Sequence, residues 1–473
     1  MNISLVRVVR GDVVNIVLAL LVTVWVAYFI VKRYKPQTIL FIGGMFLMLV
    51  SVIAGYGEIF PGGKGSTGSL LFDLFEFIRS VLSSRAGKLG LNIMAVAGFA
   101  RYMDHIGASR ALVNLTIQPL LRLKSPYLVL SACWALGMVL GLAINSASGL
   151  AMLLMVTMFP ILVALGVSRL SAAAAIATTL CLDWSPSDTG TILAAELSGI
   201  DPVIYWHDYQ VPVALCIFPV VAILHYFTQK HMDKRDGHVV QPMRKDDVEV
   251  STDNVNLDNA HPPLIYAILP IVPLALILVF SPLMIPDIKM DIIKAMLIGT
   301  AIGMLAQYIR SRNGKQVAED LQIFFDGMGR QMANVVTLIV AGETFARGLM
   351  VSGTIDALIS GTQSSGFGAI ALSLVMIIII GVCAVVMGSG NAPFFAFANL
   401  VPDIAAKSGI AAVTMILPMH FIASSARAIS PITAVIIVVS GMANISSFDL
   451  VKRTAIPMIG SCITLVLANF LLF

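Results

Sequence analysis

The stretch "VVMGSGNAPFFAF", residues 385–397, places flexible and polar residues inside an apolar region. Its centre holds Gly388, Ser389, Gly390, Asn391 and Pro393, and the apolar run "LSLVMIIIIGVCA" comes just before it. Non-helical backbone at membrane depth is tolerated only where protein buries it or where it lines a water-filled cavity. We therefore predict that this stretch is the tip of a re-entrant helical hairpin that holds a ligand.

The whole chain has the composition of an integral membrane protein. Of its 473 residues, 58% are hydrophobic and only 12% are charged, whereas a soluble domain usually has about 25% charged residues. The net charge of +4 is modest and does not indicate a nucleic-acid partner. The five cysteines stand singly, a pattern that is typical neither of a disulfide framework nor of a zinc site.

Membrane spans are predicted where about 20 apolar residues follow one another. The clear candidates are 13–31, 37–55, 88–107, 210–228, 263–282, 288–310, 332–352 and 454–472. Segments 66–86 and 316–331 mix apolar and charged residues, which favours amphipathic helices at the membrane interface. The polar segment 229–262 divides the chain near its middle and is predicted to be a linker outside the membrane.

The two halves of the chain resemble each other in three ordered places. "GFARYMDHIG" (98–107) matches "FARGLMVSG" (345–353), "SASGLAMLLMVTMFPILVALG" (146–166) matches "GSGNAPFFAFANLVPDIAAKSG" (388–409), and "LSGIDP" (197–202) matches "VSGMAN" (439–444). The sequence therefore predicts two structural repeats, residues 1–228 and 263–473, joined by the linker 229–262.

The distribution of basic residues predicts that the second repeat is inverted. With "KRYK" (32–35) placed in the cytoplasm, each half holds five spans and one hairpin, and an odd number of spans reverses the second half. The loops with Arg110, Arg169 and "RSRNGK" (310–315) then lie inside, as the positive-inside rule requires. We predict an all-α polytopic membrane protein with about ten transmembrane helices, two re-entrant hairpins, two broken helices and a cytoplasmic linker.

Four polar breaks in the apolar regions 126–200 and 367–442 are predicted to form the functional site. Two are hairpin tips, "NSASG" (145–149) and "GSGNAP" (388–393), and two interrupt spans, "DWSPSDTG" (183–190) and "RAISPIT" (427–433). Inverted repeats with paired broken helices are typical of secondary transporters. Free N–H groups at half-helix N-termini favour an anionic ligand. The candidate substrate contacts are Asn145, Ser146, Ser148, Gly149, Ser187, Ser389, Gly390, Asn391, Pro393, Arg427, Ser430 and Thr433.

The charged residues in these breaks have two interpretations. A charge at membrane depth is costly and is by default functional, and the planar guanidinium of Arg427 fits a carboxylate in two hydrogen bonds. The alternative for Arg427 is a structural ion pair with one of the acids in the other broken span, Asp183 or Asp188, with Asp188 as the partner in the rival account. Asp183 and Asp188 are candidates for holding a coupling H+ or Na+, and the lone His420 is interpreted as structural.

The sequence resembles the DcuC-type anaerobic C4-dicarboxylate transporters of bacteria, within the ion transporter superfamily, over nearly its whole length. The resemblance is carried by "GFARYMDHIGAS", "SASGLAMLLMVTMFP", "SGNAPFFAFANLVP", "SRLSAAAAIA" and "RAISPITAVIIVVSGMANIS". It implies exchange, uptake or efflux of succinate, fumarate and related dianions, by antiport or symport, across the bacterial inner membrane. Malate and aspartate are further candidate C4-dicarboxylates. No cofactor is implied apart from a coupling ion.

The resemblance also implies an elevator mechanism. A homodimeric scaffold, with spans 13–55 and 263–310, would stay fixed in the lipid bilayer while a transport domain, 126–200 and 367–442, carries the substrate. The residues at matching motif positions are Ser146, Ser148, Gly149, Pro186, Ser389, Asn391, Pro393, Arg427, Ser430 and Pro431. The acids in "DWSPSD" depart from the family pattern and leave the substrate and the coupling ion open.

Rival functions lack their sequence patterns. Neither hairpin tip has the glycine spacing of a serine hydrolase, no HExxH is present, and "PGGKGSTG" (61–68) does not match a P-loop. A channel mechanism would not require the predicted pair of inverted hairpins. A sodium/proton antiporter, or a carrier of another organic anion, remains the nearest alternative because of Asp183 and Asp188.

Overall fold

The computed structural model of the chain describes residues 3–32, 34–117, 125–238, 262–354 and 369–473. Every regular element in these ranges is helical. The first half contains α1 Ile3–Val31, α2 Pro36–Ile53, α3 Leu70–Arg85, α4 Leu91–His105, α5 Ala108–Ile117, α6 Pro126–Leu140, α7 Ala147–Ala164, α8 Arg169–Ala177, α9 Thr189–Ser198 and α10 Pro202–Arg235. The second half contains α11 Leu264–Val279, α12 Ile292–Ser311, α13 Gly314–Val351, α14 Ala369–Met387, α15 Asn391–Phe397, α16 Val401–Ser408, α17 Ala412–Arg427, α18 Ala434–Ala443 and α19 Ser447–Leu472.

Seven of these helices are long and apolar enough to cross a membrane. They are α2, α7, α10, α12, α13, α14 from Ile370, and α19, and four shorter apolar helices accompany them in the described ranges. Large apolar side chains such as Leu21, Ile53 and Leu305 are exposed on the outer faces, as lipid contact requires. The prediction of an all-α polytopic membrane protein is confirmed, whereas the count of about ten spans stays a prediction.

The elements follow the same order in both halves. In the first half α3 leads through a π-helical turn, Ala86–Gly90, into α4. In the second half α13 contains the same succession, with its π-helical turn at Met332–Val336. Each half then continues with two helices joined at a polar tip, a broken helix and a long helix. This common order is what two repeats would produce, and both the repeats and their inversion stay predictions.

Helix α13 is longer than the sequence predicted. Residues 316–331 were expected to form a separate interfacial helix, but they continue without a break into the span that follows. The reason is close packing on α4, since a Cβ added to Gly327 would lie 2.8 Å from the Cα of Gly98. The first part of α13 therefore lies against α4 and brings polar residues towards the centre of the molecule.

Helix α10 also extends beyond its predicted end. It continues to Arg235, inside the segment assigned to the linker, and buries Gln229 and Asp233. The start of the linker is thus corrected to a point after α10. Most of the predicted linker, residues 239–261, lies outside the described residues.

Asp233 is buried because it belongs to an ionic group that we call the Arg453 cluster, formed by Tyr127, Ser168, Ser171, Asp233, Asp236 and Arg453. Arg453 is 2% exposed, and its Nη1 and Nη2 donate to Asp233 Oδ1 and Asp236 Oδ2, both at 2.7 Å. Asp233 also accepts hydrogen bonds from the hydroxyl groups of Ser168, Ser171 and Tyr127 at 2.6, 2.8 and 3.0 Å. A buried ion pair is tolerated when its remaining polar atoms are satisfied in this way. The cluster therefore holds together the starts of α6 and α8, the two helices that lead to the polar breaks of the first half.

Candidate functional site

The four polar breaks line one cavity of about 550 Å³. The first residues of α7, α9, α15 and α18, which are Ala147, Thr189, Asn391 and Ala434, all lie in its wall. The predicted site residues in the wall are Asn145, Ser146, Ser148, Asp183, Asp188, Ser389, Gly390, Asn391, Arg427 and Thr433. Segments that are far apart in the sequence are therefore brought together at one place.

The helix N-termini give this cavity a positive character. Each N-terminus carries N–H groups without a helical partner and a partial positive charge. Ser146 Oγ accepts from the Gly149 N–H at 3.1 Å, and Ser389 Oγ accepts from the Ala392 N–H at 3.3 Å. At α9, by contrast, Asp188 accepts from the N–H groups of Gly190 and Thr191 at 2.7 and 3.3 Å. The protein thus neutralises the end of α9 with its own carboxylate, whereas α7, α15 and α18 have no acidic cap.

Four predicted contact residues lie outside the wall of this cavity. Gly149 lines a neighbouring cavity. Ser187 is buried and accepts a hydrogen bond from Asn145 Nδ2 at 2.9 Å, so it orients a wall residue. Pro393 is buried in the first turn of α15, and Ser430 is buried with its Oγ unpartnered among the described residues. These four residues lie beside the cavity rather than in its wall, and their contact with a ligand stays a prediction.

Arg427 is paired with Asp183. Its Nη2 donates to Asp183 Oδ1 at 2.7 Å and to the Leu180 carbonyl at 2.8 Å, while Asp183 Oδ2 accepts from Ser424 Oγ at 2.7 Å. Of the two acids considered as partners of Arg427, the structure pairs it with Asp183 and not with Asp188, the partner named in the rival account. Asp183 has a left-handed backbone with φ of 45°, which is uncommon for a residue with a side chain, and this turn directs its carboxylate towards α17. Space for Arg427 comes from Gly390, where an added Cβ would lie 3.2 Å from Arg427 Cδ.

Asp188 lies instead beside His420. The Asp188 Oδ2 and His420 Nε2 atoms are 3.8 Å apart, and the imidazole stacks on Phe394 with 4.9 Å between ring centroids. His420 is buried, with Nδ1 at 3.4 Å from Gln210 Nε2. The packed imidazole agrees with a structural role for this histidine.

Five further polar residues in the cavity wall were missed from the sequence: Arg101, Asp104, Arg330, Gln331 and Asn334. Arg101 and Asp104 are three residues apart on α4 and so share a face. Arg330 and Gln331 come just before the π-helical turn of α13, and Asn334 lies within it. The cost of a charge in an apolar run, which singled out Arg427, would also have found Arg101 in "GFARYMDHIG". Arg330 was hidden by its assignment to an interfacial helix.

Opposite charges are equal in number around the cavity. Its wall contains Arg101, Arg330 and Arg427 together with Asp104, Asp183 and Asp188. When all six are ionised, their formal charges sum to zero. Among the described residues, no group of three or more His, Cys, Asp or Glu side chains is placed to hold a metal ion.

Comparison with known proteins identifies the family. The family model of the DcuC C4-dicarboxylate anaerobic carriers matches residues 14–473. A Vibrio cholerae protein named "Probable anaerobic C4-dicarboxylate transporter DcuC" is 38% identical over 459 residues, which cover 97% of this chain and 98% of that protein. The Escherichia coli K12 anaerobic C4-dicarboxylate transporter DcuC is 36% identical, with 97% of each chain covered.

A solved structure shares the fold. The chain superposes on Neisseria gonorrhoeae MtrF, described as illuminating a class of antimetabolite efflux pumps, with a TM-score of 0.63 at 14% identity, covering 92% of this chain and 94% of that one. At this identity the likeness concerns the fold alone. The resemblance seen in the sequence motifs is confirmed by the family model and the relatives, and the chain belongs to the DcuC family of C4-dicarboxylate anaerobic carriers, which are transporters rather than enzymes.

Proposed function

We propose that this chain is a secondary active transporter that moves C4-dicarboxylates across the bacterial inner membrane. Succinate and fumarate are the expected substrates, with malate and aspartate as further candidates, and transport proceeds by exchange, uptake or efflux. The observation that carries the proposal is the convergence of Arg427 and three helix N-termini without an acidic cap, those of α7, α15 and α18, on one cavity, in a chain whose relatives are named C4-dicarboxylate transporters. A cavity of about 550 Å³ lies within the usual size range of small-molecule sites.

The arrangement of donors fits a ligand with a carboxylate at each end. Both hydrogen bonds of Arg427 use Nη2, so Nε and Nη1 are without a partner among the described residues. One substrate carboxylate would accept a hydrogen bond from one of these two groups, beside Ser389, Asn391 and the N–H groups of α15. The other would bind at the first hairpin tip, where Asn145, Ser146 and Ser148 lie at the start of α7.

Charge balance gives a reason for ion coupling. A dianion entering a wall whose ionised side chains sum to zero leaves a net charge of −2, which is costly in a low-dielectric site. A proton or Na+ bound with the substrate at Asp183 or Asp188 would offset part of this charge. We therefore expect H+ or Na+ to move together with the substrate during uptake, efflux or both. Asp183 and Asp188 would form the coupling site.

An experiment with purified protein in liposomes tests the proposed function. Vesicles loaded with labelled succinate should release it faster when fumarate is added outside, and imposed pH or sodium gradients should change the rate. Liposomes without protein give the leak rate. Exchange of another solute class with no exchange of any C4-dicarboxylate would overturn the substrate assignment.

The alternative is a sodium/proton antiporter, or a carrier of another organic anion, and it is motivated by the acids beside the cavity. Asp183 and Asp188 are both buried, as ion-binding carboxylates of antiporters are expected to be. In the same liposomes, an antiporter would dissipate a pH gradient when sodium is added in the absence of dicarboxylate. A dicarboxylate carrier would require the organic anion for this proton movement.

A further inference from the structure

A second cavity adjoins the candidate site on one side. It has a volume of about 670 Å³ and is formed between the end of α4, the start of α7, and the end of α12. Asp104 lines both cavities, and Gly149 in the second cavity follows Ser148 in the first. A solute leaving the candidate site on this side would therefore pass Asp104 and the first hairpin tip.

Two arginines dominate the charge of this second cavity. Arg110 and Arg310 both line it, and both are exposed. The Arg310 guanidinium lies over the Tyr266 ring at 5.8 Å, and the Tyr266 hydroxyl donates to Gln307 Oε1 at 3.1 Å, so the arginine is supported by neighbouring side chains. Among the described residues that line this cavity, Asp104 is the one that carries a carboxylate. The His105 Nε2 atom lies 3.0 Å from Asp320 Oδ1, so this histidine already has a partner.

We propose that this second cavity is an antechamber that collects dicarboxylates on one face of the membrane and delivers them to the candidate site. Arg110 and Arg310 attract the dianion, and together they offset the repulsion of Asp104 at the passage. The face is cytoplasmic, because Arg110 and the segment 310–315 are among the basic residues that the positive-inside rule places there. The proposal rests on the proposed function and adds residues that do not touch the substrate in its final site.

The expected effect is on capture rather than on the maximal rate. Charges of one sign in a cleft raise the local concentration of an oppositely charged solute and increase its rate of association by about 10- to 1,000-fold. Salt weakens this attraction, because the screening length falls from about 30 Å at 0.01 M to about 3 Å at 1 M. Loss of the two arginines should therefore slow substrate capture at low ionic strength, and only on one face of the membrane.

The test compares sided membrane vesicles. Succinate exchange is measured in inside-out and right-side-out vesicles with the full-length chain, its Arg110→Gln/Arg310→Gln variant and a matched control, Arg312→Gln/Lys315→Gln. The control removes two positive charges from the same face at positions that do not line the cavity. At low salt the first variant should need about 10-fold more succinate on the cytoplasmic face for half-maximal exchange. It should behave like the wild type on the opposite face and at high salt, with an unchanged maximal rate.

Three results would overturn the antechamber: no change at low salt, an equal change on both faces or on the periplasmic face alone, or an equal change in the control. The wild-type vesicles report separately on the proposed function. If they exchange no C4-dicarboxylate, that function fails, and the same variants are then compared with the organic anion that the wild type does exchange. The antechamber is then supported if loss of the two arginines weakens exchange of that anion on the cytoplasmic face alone, and it is overturned otherwise.

Discussion

At the scale of single residues, the Arg427–Asp183 pair is the central feature of the site. We predict that Arg427→Ala weakens succinate binding by about 10- to 150-fold, the loss of one charge-assisted contact of about 1.5–3 kcal/mol. Arg427→Lys should restore little, because an ammonium group lacks the planar set of five N–H donors that lets Arg427 hold Asp183 and contact the substrate at the same time. Binding to detergent-purified protein, with folding checked, measures both variants.

The double variant Arg427→Ala/Asp183→Asn separates ligand binding from ion pairing. Removing Arg427 alone leaves a buried carboxylate without its partner, which is itself destabilising. If the double variant binds succinate as well as the wild type does, the arginine serves only to neutralise Asp183. Continued weak binding supports direct contact with the substrate.

Asp188 has a structural task that two substitutions can distinguish from ion coupling. Its carboxylate caps α9. Asp188→Ala should therefore lower the free energy of unfolding by about 0.5–2 kcal/mol, whereas Asp188→Asn retains a capping oxygen and should cost less. Thermal unfolding in detergent measures the difference. If Asp188→Asn keeps its stability but loses the dependence of transport on pH or sodium, Asp188 belongs to the coupling site. If the dependence of transport on pH and sodium is unchanged in Asp188→Asn, Asp188 does not belong to the coupling site.

The sequence predicted the polar residues of the site better than their partners. Arg427 was found because a charge is conspicuous in an apolar run. Arg427 pairs with Asp183 rather than Asp188 because of the left-handed backbone at Asp183. Neither the residue type nor the spacing predicts that conformation. Arg101 and Asp104 join the wall only because α4 packs on α13 and turns this face inwards.

At the scale of helices, the approach of α9 to α17 depends on a missing side chain. A Cβ added to Gly190 would lie 2.2 Å from His420 Nε2. We predict that Gly190→Ala forces the two helices apart, costs about 1–3 kcal/mol of stability as overpacking does, and reduces transport. Gly441→Ala in α18 is the control, because a Cβ there meets nothing within 4 Å. Its melting temperature should stay the same or rise, and an equal loss in both variants would contradict the packing argument.

Helix breaks could be predicted from the sequence, but helix continuity could not. Gly, Ser, Pro and Asn mark the four breaks, and the structure places a helix start at each of them. The extension of α10 into a polar segment was missed because Asp233 is stabilised there by Arg453, at a sequence distance of 220 residues. A local pattern carries no information about such a distant partner.

At the scale of the whole molecule, a cross-link between the predicted scaffold and the predicted transport domain tests the elevator mechanism. Met152 of α7 and Gln307 of α12 line the second cavity and belong to the predicted transport domain and scaffold. A flexible cross-link between cysteines at these positions, in a cysteine-free variant, should stop exchange, and reduction should restore it. Cysteines at Gly381 and Ile422 form the control pair within the transport domain, where Gly381 already lies against Ile422. Full exchange in the cross-linked Met152–Gln307 variant would argue against relative motion of the two groups.

The orientation of the chain can be read from the accessibility of two exposed residues. Single cysteines replace Lys234 at the end of α10 and Asp287 in the loop between α11 and α12. We predict that an impermeant thiol reagent added to intact cells labels the Asp287→Cys variant, and labels the Lys234→Cys variant only after permeabilisation. The reverse pattern would place the linker in the periplasm.

The Arg453 cluster has a consequence for biogenesis. Asp233 leaves the ribosome well before Arg453, with 220 residues still to be added, and at about 5–20 residues per second this interval lasts roughly 10–45 s. During that time the carboxylate that will be buried against Ser168 and Ser171 has no guanidinium partner. We therefore expect the first half of the chain to settle fully around α10 only after α19 has been inserted. Nascent chains truncated before Arg453 should be recognised by membrane quality-control proteases as unfinished, even though they already contain the whole first half of the chain.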